Sequence, residues 1–145
     1  MIEKIQEYIY DELKQVYGDQ IDYTKMISAV LMSVYNISGI PFVIIIDEWD
    51  CVIRNGGNKT LVHSYLQFLH LLFKSEESKT FLALAYITGI LPIKKIKDES
   101  ALNNFREFTM LKSKQLTRYF GFTEDEVKKL CITYDMAVSY THLTL

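Results

Sequence analysis

Phe42, Val43, Ile44, Ile45 and Ile46 form an unbroken run of aromatic and β-branched residues that stops abruptly at Asp47 and Glu48. A strand apolar at every position has no face suited to water. Both of its faces need cover, which is the habit of a parallel sheet lying between helices. A second apolar run, residues 81–87, ends in the same way at Thr88 and Gly89. Between the two runs lie Asn55, Gly56, Gly57 and Asn58, a loop signal. Leu61, Val62, Tyr65, Leu66, Phe68, Leu69, Leu72 and Phe73 then recur at helical spacing. Asn58 is placed to cap that helix, and residues 74–79 read as a solvated turn. Strand, loop, helix, turn and strand make a βαβ unit, whose crossover sets the two strands parallel.

The flanks are helical. Ile2, Ile5, Ile9, Leu13 and Val16 repeat every three or four residues, and Gly18 closes that helix. A second helix is expected from about residue 23 to 35, capped by Asp22 and broken by residues 36–39. Residues 105–111 alternate weakly, as a third strand would. Residues 94–99 read as a solvated loop, and Thr123 with Glu126 forms a capping box heading a last helix.

At 145 residues, 49% hydrophobic and 23% charged, the chain suits one folded domain. Its net charge of -2 leaves no basic surplus for gripping a nucleic-acid backbone. Cys51 and Cys131 are far apart and outside any CxxC pair, as in reduced cytosolic proteins. The longest apolar run, residues 40–46 with Pro41 inside it, falls short of the ~20 residues that span a bilayer. A cytoplasmic chain without a membrane segment is expected.

In parallel α/β sheets ligands bind outside the carboxyl ends of the strands. Asp47 and Glu48 stand at one such end and Thr88 at the other. An apolar strand delivering Asp and then Glu into a crevice has the Walker B pattern of ATPases. Asp47 would help hold Mg²⁺ through its water shell, and Glu48 would polarise the attacking water. Thr88 would be a sensor residue, hydrogen-bonding the γ-phosphate or that water. The plainer alternative makes Asp47 and Glu48 the start of a solvated loop, and Thr88 a cap on a strand-end carbonyl.

Other candidates read more simply. His63 and His70 lie seven apart on one helix, too far for the usual i, i+4 metal pair. Trp49 and the ten tyrosines suit a core more than a base-stacking surface. Asp50 either joins the acidic cluster or caps a turn. Arg54 and Arg106 are candidates for phosphate contact, with no position relative to a γ-phosphate readable from sequence.

Several strings occur together in one order: FVIIIDEWD at 42–50, AYITGILPI at 85–93, SAL at 100–102, FRE at 105–107 and YFGFTEDEV at 119–127. In that order they resemble the bacterial AAA-ATPase-like family of P-loop NTPases. Members often carry a PD-(D/E)XK nuclease-like domain further on. The resemblance spans residues 8–136. It implies a Walker B strand near 41–47, a sensor strand near 80–88 and C-terminal helices near 113–134. By it Asp47 matches the Walker B aspartate, Glu48 the catalytic glutamate, and Thr88 the polar residue after the next strand.

The departures are as informative. The family's glycine-rich GxxxxGK[ST] loop has no counterpart, because none of the six glycines precedes a Lys-Ser or Lys-Thr that opens a helix. Asn58, Lys59 and Thr60 after Gly57 are the nearest imitation, and they follow the acidic strand instead of preceding it. The nuclease-like domain is missing as well. The string VSYTHLTL at 138–145 resembles the in-frame translation of a transposon mosaic-end sequencing adaptor. By that resemblance residues 137–145 would be a non-native tail and His142 would carry no function, the alternative being a natural strand rich in Val, Tyr and Thr.

The expectation is an α/β chain, a partial three-layer P-loop NTPase-type fold with a parallel sheet that lacks the P-loop strand. Residues 1–136 would be a piece of an ATP-binding, ATP-hydrolysing domain, with ATP and Mg²⁺ as cofactors of the complete parent and none for the isolated chain. Partners would be nucleotide in the parent and a protein partner or self-association here, with nucleic acid reached only through the missing nuclease-like domain. The alternative is a non-catalytic protein-interaction scaffold of the same fold. A nuclease using Asp47, Glu48 and Asp50 is a third reading, and it lacks the lysine two residues after an acid.

Overall fold

Parallel pairing of the two apolar runs sets the architecture of the computed structural model, which describes residues 1–92, 102–109, 119 and 121–136. Strand β1 (Phe42–Ile46) lies beside β2 (Leu82–Ile87), with Val43 opposite Leu84, Ile44 opposite Ala85, Ile45 opposite Tyr86 and Ile46 opposite Ile87. Phe42 pairs with Leu82, so Ala83 is an extra residue on β2. This bulge keeps Leu82 and Ala85 on the same inward side, where strict alternation would have turned one of them outward.

The crossover carries three helices, of which α3 (Cys51–Arg54) and α4 (Lys59–Phe73) come first. The Asn58 side chain accepts the Leu61 N–H at 2.8 Å, satisfying one of the free donors of the first turn of α4. Tyr65, Leu66, Phe68, Leu69, Leu72 and Phe73 are buried on the face anticipated from their spacing, with Leu61 and Val62 half-buried at its edge. Against this face pack Phe42, Ile44, Ile46, Leu82, Ala85 and Ile87 from the strands, together with Ile27, Leu31 and Leu102. The turn after α4 ends in a short helix, α5 (Ser78–Phe81), because Phe81 dives fully into the core.

The other sheet face departs from expectation. Val43, Ile45, Leu84 and Tyr86 are 57%, 70%, 57% and 43% exposed. Among the described residues the fold is mixed α/β with a two-stranded parallel sheet covered on one side. The sheet is therefore half of the three-layer arrangement that apolar runs on both faces called for.

Helix α1 (Ile2–Tyr17) ends at Gly18 with φ of 54°, as the glycine suggested. Ile2, Ile9, Tyr10 and Leu13 lean on the core, whereas Val16 stays exposed. Helix α2 (Ile27–Ser38) begins four residues later than expected. Asp22 does not cap it. Its carboxylate instead accepts the Thr24 N–H at 3.1 Å and the Thr24 hydroxyl at 2.6 Å, closing a local turn. Gly39, in the left-handed region at φ 68°, ends α2.

The chain divides into two compact units, Met1–Phe105 and Arg106–Leu145. In the second, α6 (Glu124–Thr133) opens with the expected capping box, in which Glu126 N–H and Thr123 Oγ1 lie 3.3 Å apart and Thr123 N–H and Glu126 Oε2 lie 2.7 Å apart. Residues 105–109 form no strand. The rest of that expected strand, the loop at 94–99, the helical stretch at 113–118 and the tail at 137–145 fall outside the described residues.

Candidate site at the carboxyl ends of the strands

The parallel ladder continues one step past both strands. Thr88 N–H donates to the Ile46 carbonyl at 2.9 Å, and Trp49 N–H donates to the Thr88 carbonyl at 2.9 Å. These two bonds bring the loop after β1 against the loop after β2. Asp47, Glu48 and Thr88 consequently meet at one edge of the sheet, as their strand-end positions implied.

Asp47 and Glu48 are exposed and Thr88 is half-buried. The Thr88 hydroxyl donates to Asp47 Oδ1 and not to a strand-end carbonyl. Glu48 N–H lies 3.0 Å from the same carboxylate oxygen and 3.3 Å from the Thr88 hydroxyl. The contacts thus gather on Oδ1. Glu48 sits at φ 51°, a left-handed conformation that costs a non-glycine residue roughly 1–2 kcal/mol. That conformation reverses the chain at the strand end and sends Trp49 and Asp50 inward, where they are 2% and 0% exposed.

Asp50 is the residue that sequence reasoning undervalued. It precedes α3 without a side-chain cap, and only its backbone carbonyl accepts the Arg54 N–H, at 2.9 Å. Its carboxylate does more. Oδ2 accepts the Leu91 N–H at 2.8 Å, the Ile90 N–H at 3.2 Å and Arg54 Nε at 2.8 Å. Burial pushes the Asp50 carboxyl up, but the backbone N–H groups of Leu91, Ile90 and Asp50 itself, with the Arg54 charge, outweigh it and hold the group below the usual carboxylate range. A carboxylate depressed in this way stabilises the fold at neutral pH, and that contribution is lost as pH falls through its lowered value. Oδ1 is buried without a hydrogen-bond partner.

Gly89 makes the arrangement possible. A Cβ there would lie 2.6 Å from Asp50 Oδ1 and 2.6 Å from Trp49 Cδ1 and Nε1, closer than any side chain tolerates. From the other side, the Tyr65 hydroxyl donates to the Trp49 carbonyl at 2.7 Å. Burial first, then the neighbouring Cys51 and Asp50, push that hydroxyl up to about 12, so it remains a donor throughout the physiological range.

Arg54 reaches two acids. Besides Asp50, its Nη2 lies 3.4 Å from Glu48 Oε2, beyond the 2.7–2.9 Å of a tight charge-assisted bond. Glu48 is 65% exposed at its side chain, so water screens that contact. Arg106 belongs to the second unit, where its guanidinium stacks 5.2 Å from the Phe108 ring centroid. His63 and His70 are exposed on α4. Among the described residues no group of three or more His, Cys, Asp and Glu side chains is placed to hold a metal ion, and no helix is long and apolar enough to cross a membrane.

The cluster offers one carboxylate oriented by a hydroxyl, a second that is water-exposed on a tight turn, and a buried third beneath them. No protein-family model matches this chain, and no curated protein or solved structure matches it either.

Proposed function

We propose that this chain carries the Mg²⁺- and water-handling part of a P-loop-type ATPase site. The observation that supports the reading is the Thr88 hydroxyl donating to the Asp47 carboxylate across the carboxyl ends of two neighbouring parallel strands. Ligands of parallel sheets are bound at that edge, and phosphoryl transfer needs an acid to order the metal's water shell beside a polar group facing the γ-phosphate. In this reading Asp47 holds Mg²⁺ through water. Glu48, exposed on its turn, polarises the attacking water, and Thr88 senses the phosphate. The β- and γ-phosphates require successive backbone N–H groups and a lysine, and the sequence encodes no such glycine-rich loop.

Titration calorimetry separates these two halves. The purified chain alone is expected to show no binding of Mg-ATP at millimolar nucleotide, since carboxylates without a positive surround repel a triphosphate. Saturable micromolar binding would reveal a phosphate cradle elsewhere in these residues. Within a polypeptide that also carries a GxxxxGK[ST] loop, binding should appear, and Asp47→Ala should weaken it only when Mg²⁺ is present. Equal weakening with and without Mg²⁺ removes Asp47 from the metal role.

A second reading, a non-catalytic interaction scaffold of the same fold, has its own support in the exposed apolar face of Val43, Ile45, Leu84 and Tyr86. It differs in expecting no turnover once a phosphate loop is supplied.

A further inference from the structure

Buried carboxylates are uncommon because desolvation opposes their charge, so a fully buried aspartate two residues from an exposed glutamate needs a purpose. Asp50 is distinguished by what it binds. Two of its three donors, Ile90 N–H and Leu91 N–H, come from the loop after β2, some forty residues along the chain. The third, Arg54 Nε, sits one helical turn ahead in α3 and extends its Nη2 to Glu48. One carboxylate therefore touches both strand-end loops and the only guanidinium described beside Glu48.

We propose that Asp50 is the positioning residue of the strand-end site. It clasps residues 89–91 to residues 47–50, which keeps Thr88 in register with Asp47, and it fixes the stem of Arg54 so that the guanidinium bounds the space open to the Glu48 carboxylate. The proposal rests on the reading that Asp47, Glu48 and Thr88 do the chemistry, but the clasp itself is independent of nucleotide.

Three observations converge on it. Both loop N–H groups and Arg54 Nε converge on a single oxygen, Oδ2, so one atom ties three segments together. Gly89 lets the loops approach, because a Cβ there would fall 2.6 Å from Oδ1. The Thr88 backbone is bonded on both sides, to Ile46 and to Trp49, and the Asp50 bonds extend that join to the next residues of the loop, Ile90 and Leu91. Hydrogen bonds to a charged acceptor are the strong ones, and neutralising the acceptor loosens all three at once.

The test is solution NMR of this chain without nucleotide. In the wild type, scalar coupling through the hydrogen bond should connect the Leu91 amide nitrogen to the Asp50 carboxyl carbon. Its absence would overturn the clasp. Asp50→Asn keeps the shape and removes the charge. It should speed exchange of the Ile90 and Leu91 amide protons by on the order of tenfold to a hundredfold, and it should move the Thr88 methyl and Asp47 carboxyl resonances while core methyls such as those of Leu69 hold their shifts. A folded Asp50→Asn chain in which Thr88 and Asp47 do not move would show that Asp50 serves stability alone. Should that variant fail to fold, Arg54→Met decides. Loss of the guanidinium should shift the Glu48 carboxyl carbon, and an unmoved signal overturns the proposal. Because these signals need no ATP, a failed turnover assay would sink the ATPase reading and leave the clasp standing, and the reverse also holds.

Discussion

In a polypeptide joining this chain to a phosphate-binding loop, Glu48→Gln should lower ATP turnover by about 10²–10⁴-fold while leaving nucleotide affinity little changed. The substitution preserves the length and hydrogen-bonding shape of the side chain but removes the negative charge that polarises water. Its effect should therefore fall on kcat and not on binding, the signature of a group that acts in the transition state. The geometry sharpens the expectation. The Glu48 backbone is held by Asp47 and Thr88, whereas its side chain reaches into solvent with only a loose contact to Arg54. Little structure depends on that carboxylate, so a folding defect should not mask the kinetic result. Turnover within a few-fold of the parent would exclude Glu48 from the role, and no turnover in the parent itself would favour the scaffold reading.

The largest effect on stability is expected at Phe81. Its ring is fully buried where α5 passes into β2, and it meets the Phe42 ring edge-on at 5.9 Å between centroids. Phe81→Ala removes an aromatic side chain from the layer between α4 and the sheet and leaves a cavity that rigid strands cannot close. The cost should be about 3–5 kcal/mol, read as a fall in the urea midpoint with an unchanged slope. A loss below about 1 kcal/mol, the size of an average substitution, would mean that the core does not centre on this ring.

Much of this was legible before the fold was known, for local reasons. The β1 boundaries and the end of β2 follow from apolar runs that stop at polar residues, whereas β2 starts one residue later than expected because Phe81 belongs to α5. The start of α4 follows from the cap chemistry of Asn58, and that of α6 from Thr123 and Glu126. Parallel pairing follows from the length of the crossover. Asp47, Glu48 and Thr88 came together because strand ends in a parallel pair lie at one edge. The features that escaped depend on distant partners or on local competition. Asp22 had the right chemistry for a helix cap but found Thr24 first. Helix α3 is a single turn, too short to carry a period. Asp50 looks like any loop acid in sequence, because its burial is made by Ile90 and Leu91 and by the lack of a side chain at Gly89. The exposed sheet face escaped for the opposite reason. Its residues state what they need, and sequence does not say whether anything supplies it.

That face changes what a thermal melt of this chain reports. Apolar side chains left in water on two paired strands favour association that native monomers oppose only by dilution. Association that draws on the folded form raises the apparent melting temperature with protein concentration, by mass action. Melting temperatures of this chain should therefore climb on concentration until precipitation intervenes. Ile45→Lys, which places a charge where the isoleucine is 70% exposed, should flatten that dependence and lower light scattering without lowering the melting temperature at high dilution. If the wild-type curve is already flat, the face is not a contact, and comparisons among core variants can be made at any concentration.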